Sequence, residues 1–591
     1  MSQKVLASHS SEETTQELLM EVRVDQVVLA REPRRALRAA VDAGLTYSQV
    51  EVSLAYPPHC ISLSSCDGET IPPDCVPHEA LSLGFLVAQG GAGFASSVHL
   101  ERFSSPGRLV LTDEPRVVSC GGAAMLVLPA SRSQLSEALR TGKTQVRPPR
   151  SIQILLSGRM RPFVCIRDVA LEILKRGLEA IVKNVDATHQ APVILEFGGP
   201  GAKILSIGDR AVLCGLAPQL GAASALFASD EKTEIFLRDQ RRSKAYRVLQ
   251  ADSGSPWEEV LSIDMAAVDP LLMDQTGRIR HVRDLAGERV SQVLLGGDTG
   301  ISLRDWLAVS ALLKSKRVSP GLDFLLCPSS RQTLEVLSKG TMLADFIASG
   351  ARLIEPDRRV LSGELYPPPN DGLALRNAEY EGPQRGIIAS PETLAFAIAH
   401  GEVGDPRGFK RPVRVTVPRN LPTDDILLSR GAETRGGAKG KGRLDKRATE
   451  AGSLPPSSDS FAPPPVVQEW SGPVVLQVCA SEALLQGPSA VFARTLEDLR
   501  RLVENAATRP ELRAVVAAHI PTSTVSILSG LGILALRVDE STLQTIASAK
   551  ELTIPQQDSW SQSTLPIAVD DKTTPMHWLA IGAERNWAAA N

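Results

Sequence analysis

At 591 residues the chain is long enough for several domains with large apolar cores. Its 43% hydrophobic and 22% charged residues are ordinary for a globular protein, and a net charge of -3 gives no general attraction to nucleic acid or anionic membranes. No apolar run approaches the ~18 residues a membrane helix needs. The opening MSQKVLASHSSEETTQ lacks the apolar core of a signal peptide, so a cytoplasmic location without membrane contact is expected.

The eight cysteines form no CxxC pair. Cys60, Cys66 and Cys75 are the one cluster, and their spacing matches no common zinc or iron–sulfur pattern. Reduced thiols packed as small hydrophobes are expected, and no metal site.

In chain order, periodicity predicts a helix over 13–19, a strand over Val22–Leu29 and a helix over 35–43. A strand at Val52 leads into a proline-rich turn region, and a helix is expected over Glu79–Val87. A glycine-rich turn, GGAGFASS, opens at Gly90 and is followed by strand signals through Leu128. Next come a strand over Ile152–Leu156, a helix over Val169–Lys183, and the stretch Ile194–Thr233 with its knuckle Gly198, Gly199, Pro200, Gly201. The same alternation resumes with a strand over Val293–Leu295, a helix over Leu303–Leu313, a strand over Phe324–Cys327 and a helix from Arg331. Repeated alternation of this kind predicts α/β layers. Residues 429–466 are poor in apolar residues and rich in Gly, Lys, Ser and Pro, as in a flexible insertion. Beyond it the pattern resumes with Val474–Val478, a helix over Leu496–Asn505, a strand over Leu512–Ala517 and SGLGILAL.

Several of these segments resemble the aconitase and isopropylmalate-isomerase family, in that family's order. The stretch ILEFGGPGAKILSIGDRAVLCGLAPQLGAASALFASDEKT resembles its E-F-x-G-P-G, L-S-x-x-x-R, A-x-E-x-G-A and D-E-K-T phrases. GGAGFASSVHLERFSSPGRLVLTDEP and SPETLAFAIAHGEV are similar to two further segments, and VRVTVPRNLPTDDILL looks like the first strand of the family's swivelling domain. The resemblance spans roughly residues 4–545. It implies an aconitase-like three-part α/β/α large region over 1–408 and a C-terminal swivelling β/α domain over 409–591, in a single chain.

For the family it implies a hydro-lyase reaction at a [4Fe–4S] cluster held by three cysteines. A serine base, histidine–carboxylate pairs and carboxylate-clamping arginines complete the machinery. At the matching positions this chain carries other residues. The cluster cysteines correspond to Asp298, Arg358 and Leu361, and a histidine to Ser96. The T-D-S-H motif reads Thr112, Asp113, Glu114, Pro115. The asparagine and glutamate of the A-x-E-x-G-A region are Gly215 and Gln219, and an amide is no acid or base near neutral pH. The family's D-H turn reads Asp67, Gly68. In the C-terminal module, Ala490 and Val525 stand where arginines are implied.

The concerted loss predicts an aconitase scaffold without cluster or hydro-lyase site, acting as a non-catalytic scaffold or regulatory protein with a protein partner. A cluster-free lyase, hydratase or isomerase on a small carboxylate stays open, with Asp113, Glu114, Arg116, Gln219 and Asp298 as its cleft residues and Arg376 and Arg385 as carboxylate ligands. An RNA-binding role rests on the basic insertion Arg430–Arg447, which has no aromatic residue for base stacking, and nucleic acid is not the expected partner.

Overall fold

Four sheets and a closed barrel organise the chain in the computed structural model. It describes residues 1–10, 19–57, 76, 78–363, 365–367, 372–378, 386–423, 425–430, 473–480, 485, 487–506, 509, 511–555, 564–570 and 572–579. The expected helix over 13–19 falls largely outside these residues, as do Asp67, Gly68, the Cys60–Cys75 cluster, Arg385 and nearly all of the basic insertion.

The first sheet has six strands, in the order Leu428–Arg430, Leu86–Ala88, Val52–Ala55, Gln26–Leu29, Leu109–Thr112, Leu126–Pro129. All neighbours are parallel except the pair Leu428–Arg430 with Leu86–Ala88. Gln26–Leu29 and Leu109–Thr112 are buried at every position, as strands covered on both faces must be. The second sheet is fully parallel, in the order Ser224–Phe227, Val193–Gly198, Arg150–Ser157, Glu259–Asp264. The third has seven strands, with Val290–Gly296 between Leu373–Arg376 and Asp323–Cys327. A two-stranded sheet pairs Met20–Arg23 with Lys143–Val146. Seven strands between Val474 and Leu579 close the barrel.

Three sheets thus carry a reversal of strand order, the second one at Arg150–Ser157, between Val193–Gly198 and Glu259–Asp264. In the first, the chain leaves Gln26–Leu29 for a neighbour on one side and returns through Leu109–Thr112 on the other. In the third, Val290–Gly296 is flanked in the same way. Ligands of open α/β sheets bind outside the carboxyl ends of strands at such reversals.

Several expected elements differ in detail. Val22–Leu29 is two strands in two sheets, turning at the buried Asp25. The helix over Glu79–Val87 is only a short 3₁₀ turn, His78–Leu81. Gly84, at φ +88°, reverses the chain before Leu86–Ala88 joins the sheet as a strand. The helix over Val169–Lys183 is two helices, Ile166–Lys175 and Leu178–His189, broken at Gly177 with φ +76°. Val413–Leu427 forms no regular strand, and Leu428–Arg430 pairs with the first sheet rather than the barrel. Among the described residues no helix is long and apolar enough to cross a membrane.

Candidate functional site

The strand-order reversal of the first sheet opens into a cleft of about 70 Å³. Arg31 and Glu114 supply one wall, from the segments that follow Gln26–Leu29 and Leu109–Thr112, and Arg116 continues it. Gly215, Pro218 and Gln219 supply a second wall, from the turn after the helix Ile207–Cys214. The third comes from the barrel region: Leu496 and Arg500 on the helix Leu496–Ala506, and Ser523, Thr524 and Ile527 on the helix Thr522–Gly530.

The barrel is fastened to the rest of the chain beside this cleft. Asp186 accepts hydrogen bonds from the Thr522 amide at 3.2 Å and its hydroxyl at 3.1 Å, and the Ser523 hydroxyl donates to the Gly221 carbonyl. Burial pushes the Asp186 carboxyl up to about 6, although both Thr522 donors oppose the rise.

Asp113 and Glu114 are adjacent in sequence and do different work. Asp113 turns away from the cleft and accepts the backbone amides of Ala30 at 2.7 Å and Glu32 at 3.0 Å. It ties the ends of the two central strands together. Burial raises its carboxyl to about 6, against the pull of those amides. Glu114 caps the 3₁₀ turn Pro115–Ala123 by accepting from the Arg116 amide. Burial alone would raise its carboxyl, but the Arg31, Arg358 and Arg116 guanidiniums outweigh this and hold it at about 2. It is therefore an anion throughout the physiological range, too weakly basic for efficient proton abstraction.

Arg31 is 9% exposed. Its Nε lies 3.6 Å from Glu114 Oε2, near enough for charge attraction but not for a hydrogen bond, and its Nε and Nη1 have no hydrogen-bond partner. Arg116 and Arg500 also line the cleft, Arg500 in an ion pair with Glu497 at 3.0 Å, so guanidiniums surround the Glu114 carboxylate there.

Asp298 lies at the strand-order reversal of the third sheet, just past Val290–Gly296. It is buried and accepts a hydrogen bond from the Ser96 hydroxyl, on the helix Ala95–Arg102. Leu361, on the helix Arg358–Ser362, is 1% exposed, and its Cδ2 stands 3.0 Å from where a Cβ on Gly297 would be. A Cβ added at Gly215 would lie 3.1 Å from Thr299 Cβ. Ser96, Asp298 and Leu361 are thus brought into one neighbourhood. Arg358 is coupled through charge to Glu114, which links that neighbourhood to the cleft.

The [4Fe–4S] group that the resemblance implies can be tested against these side chains. It needs three thiolates. The corresponding positions hold a carboxylate occupied by Ser96, a guanidinium and a buried isobutyl group, and this donor set does not fit the cluster. The cysteines among the described residues are Cys120, Cys165, Cys214, Cys327 and Cys479, all buried.

Arg376 does not reach the cleft. It is 1% exposed and donates from Nη1 to the Val360 carbonyl at 3.0 Å, bracing the turn that carries Leu361. Its neighbour Asn377 clamps Gly296, accepting from the amide at 2.7 Å and donating to the carbonyl at 3.1 Å. Ala490 is inside the barrel and Val525 is buried in the helix beneath Ser523 and Thr524. Sequence reasoning did not find Arg31 or Arg500. Arg31 follows an apolar strand directly, which is a usable signal once the strand order is known.

Comparison with known proteins agrees with this scaffold. The Aconitase family (aconitate hydratase) pattern matches residues 78–278. The chain is 25% identical over 341 residues to the 3-isopropylmalate dehydratase large subunit of Elusimicrobium minutum, covering 56% of this chain and 79% of that one. It is 26% identical over 331 residues to 3-isopropylmalate dehydratase large subunit 2 of Archaeoglobus fulgidus (54% and 77% covered). It is 26% identical over 328 residues to a probable methanogen homoaconitase large subunit of Methanosarcina mazei (54% and 81% covered). The crystal structure of Thermococcus kodakaraensis aconitase X is similar over 70% of this chain and 95% of that one, at 10% identity and a TM-score of 0.33, too slight to bear on geometry. By its matched segment over residues 78–278 and its relatives over about half its length, the chain is similar to the aconitase family.

Proposed function

We propose that this protein keeps the aconitase scaffold and a carboxylate-binding cleft, but neither the [4Fe–4S] cluster nor the hydro-lyase reaction, and acts as a non-catalytic scaffold or regulatory protein. The observation that carries this reading is the bond from Ser96 to Asp298 beside the buried Leu361. Side chains that would have to ligate iron instead satisfy and pack against one another. In the cleft itself, Glu114 is held as a permanent anion and Gln219 is an amide, so neither is poised to move a proton near pH 7. The Arg31 guanidinium, whose Nε and Nη1 have no hydrogen-bond partner, suits a small carboxylate, and Arg116 and Arg500 add positive charge to the same cleft. The relatives are named large subunits. A protein partner whose binding responds to the carboxylate is the role we assign.

The experiment is to purify the chain anaerobically, measure iron, acid-labile sulfide and the visible spectrum, and titrate citrate by calorimetry. The expected result is a colourless protein without sulfide that binds citrate and does not dehydrate it. A stoichiometric cluster or turnover of a hydroxy-carboxylate overturns the proposal.

A further inference from the structure

Away from the cleft, three helices begin at one point. Cys165 caps the helix Ile166–Lys175, Asp305 is in the first turn of Leu303–Leu313, and Glu392 is in the first turn of Pro391–His400. The Cys165 sulfur and one carboxylate oxygen each from Asp305 and Glu392 lie within 4.8 Å of one another. Their exposures are 0%, 1% and 7%, so water does not satisfy them.

Local capping accounts for only part of this cluster. Asp168, also buried there, has both oxygens engaged: Oδ2 by the Cys165 amide at 2.9 Å and Oδ1 by the Leu271 amide at 2.9 Å. It is a satisfied structural carboxylate. Asp305 uses Oδ2 for its capping box, accepting from the Ser302 amide at 3.2 Å and hydroxyl at 2.9 Å, while Oδ1 has no hydrogen-bond partner. Glu392 Oε2 has none either. A buried acceptor left this way is costly, and the remedies are a shared proton or a cation. The neighbouring cation, Arg304, lines a groove of about 350 Å³ together with Ser302, so solvent reaches the residue beside Asp305.

We propose that Cys165, Asp305 and Glu392 bind a divalent metal ion of zinc-like character. One thiolate with two carboxylates is a donor set for a borderline cation, since magnesium and calcium prefer oxygen alone. On binding, the Cys165 thiol gives up its proton and its sulfur ligates the ion as a thiolate. The ion is a structural pin. It joins helices attached to the second and third sheets, and it takes no part in chemistry at the cleft.

The test uses untagged full-length protein stripped with chelator and titrated with Zn²⁺ by calorimetry, with metal content read by mass spectrometry. One tight Zn²⁺ per chain and a rise in Tm on loading are expected, because an ion that binds only the folded state stabilises it. Cys165→Ser, Asp305→Asn and Glu392→Gln should each weaken uptake by more than ~100-fold, since even outer partners of metal ligands are worth about 10–100-fold. Co²⁺ should give a thiolate charge-transfer band that Cys165→Ser abolishes and Cys120→Ser retains. Wild-type protein that takes up no Zn²⁺, or a stoichiometry and band unchanged in Cys165→Ser, overturns the proposal. So does a chelator-insensitive wild type that Asp305→Asn stabilises, which would show two carboxyls sharing a proton. The wild-type measurements decide the matter even if a variant fails to fold.

Discussion

The Ser96 hydroxyl donates to the Asp298 carboxylate across the junction of the first and third sheets. Both side chains are buried, at 1% and 5% exposure, so neither finds water in place of the other. Asp298→Ala should therefore leave a buried hydroxyl unsatisfied and cost about 1–3 kcal/mol in urea unfolding. Asp298→Asn keeps an acceptor for Ser96 and should cost less. Equal losses in the two variants would deny the bond a structural role.

Arg31 offers the cleft a guanidinium with donors to spare. Arg31→Gln should weaken citrate binding by about 10–100-fold, the worth of one charge-assisted hydrogen bond of about 1.5–3 kcal/mol. Because Glu114 is held at about 2, the cleft charge should not change between pH 5 and 8 on its account. Calorimetric affinity should follow the ionisation of citrate alone over that range.

The contact between Asp186 and Thr522 should make attachment of the barrel depend on pH. The carboxyl rises from 3.8 to about 6 through burial, so the folded state favours its protonated form. Its stabilising contribution is fully present below pH ~4 and is lost as pH rises past about 6. A shift of that size corresponds to about 3 kcal/mol by linkage. Between pH 4 and 7, wild-type stability should fall relative to Asp186→Asn, which has no proton to lose. A pH-independent difference between the two would rule this out.

Leu361 is packed against Val360 and Ile354 in a small apolar cluster. Leu361→Ala should cost about 2–5 kcal/mol, from lost burial and the space left beside Gly297. A loss under 1 kcal/mol in guanidinium unfolding would mean that the cavity collapses, or that the leucine is not a packing element.

The α/β alternation was legible because its periods are local. Leu303–Leu313 and Leu512–Ala517 form over the residues expected, and Pro391–His400 lies within SPETLAFAIAHGEV. The site was legible only along single phrases. Glu114, Arg116 and Gln219 do line the cleft, and Asp298 does lie beside Ser96. Asp113 and Arg376 read as site residues but are spent on backbone groups, which one-dimensional spacing cannot reveal. Arg31 and Arg500 are separated by most of the chain and meet through strand order and barrel attachment. Cys165, Asp305 and Glu392 come from three distant helix starts, and no sequence interval relates them.

The packing of Leu361 over Gly297 also bears on how readily cluster ligands could be introduced at these positions. Asp298→Cys alone would strand Ser96, Leu361→Cys alone would open a void, and Gly215→Asn alone would press a side chain onto Thr299. Each reversal is unfavourable unless its neighbours change as well, so contacting sites here should show strong epistasis. A cluster-bearing site at these positions would thus be reached only by coordinated changes, and single substitutions toward it should each lower stability.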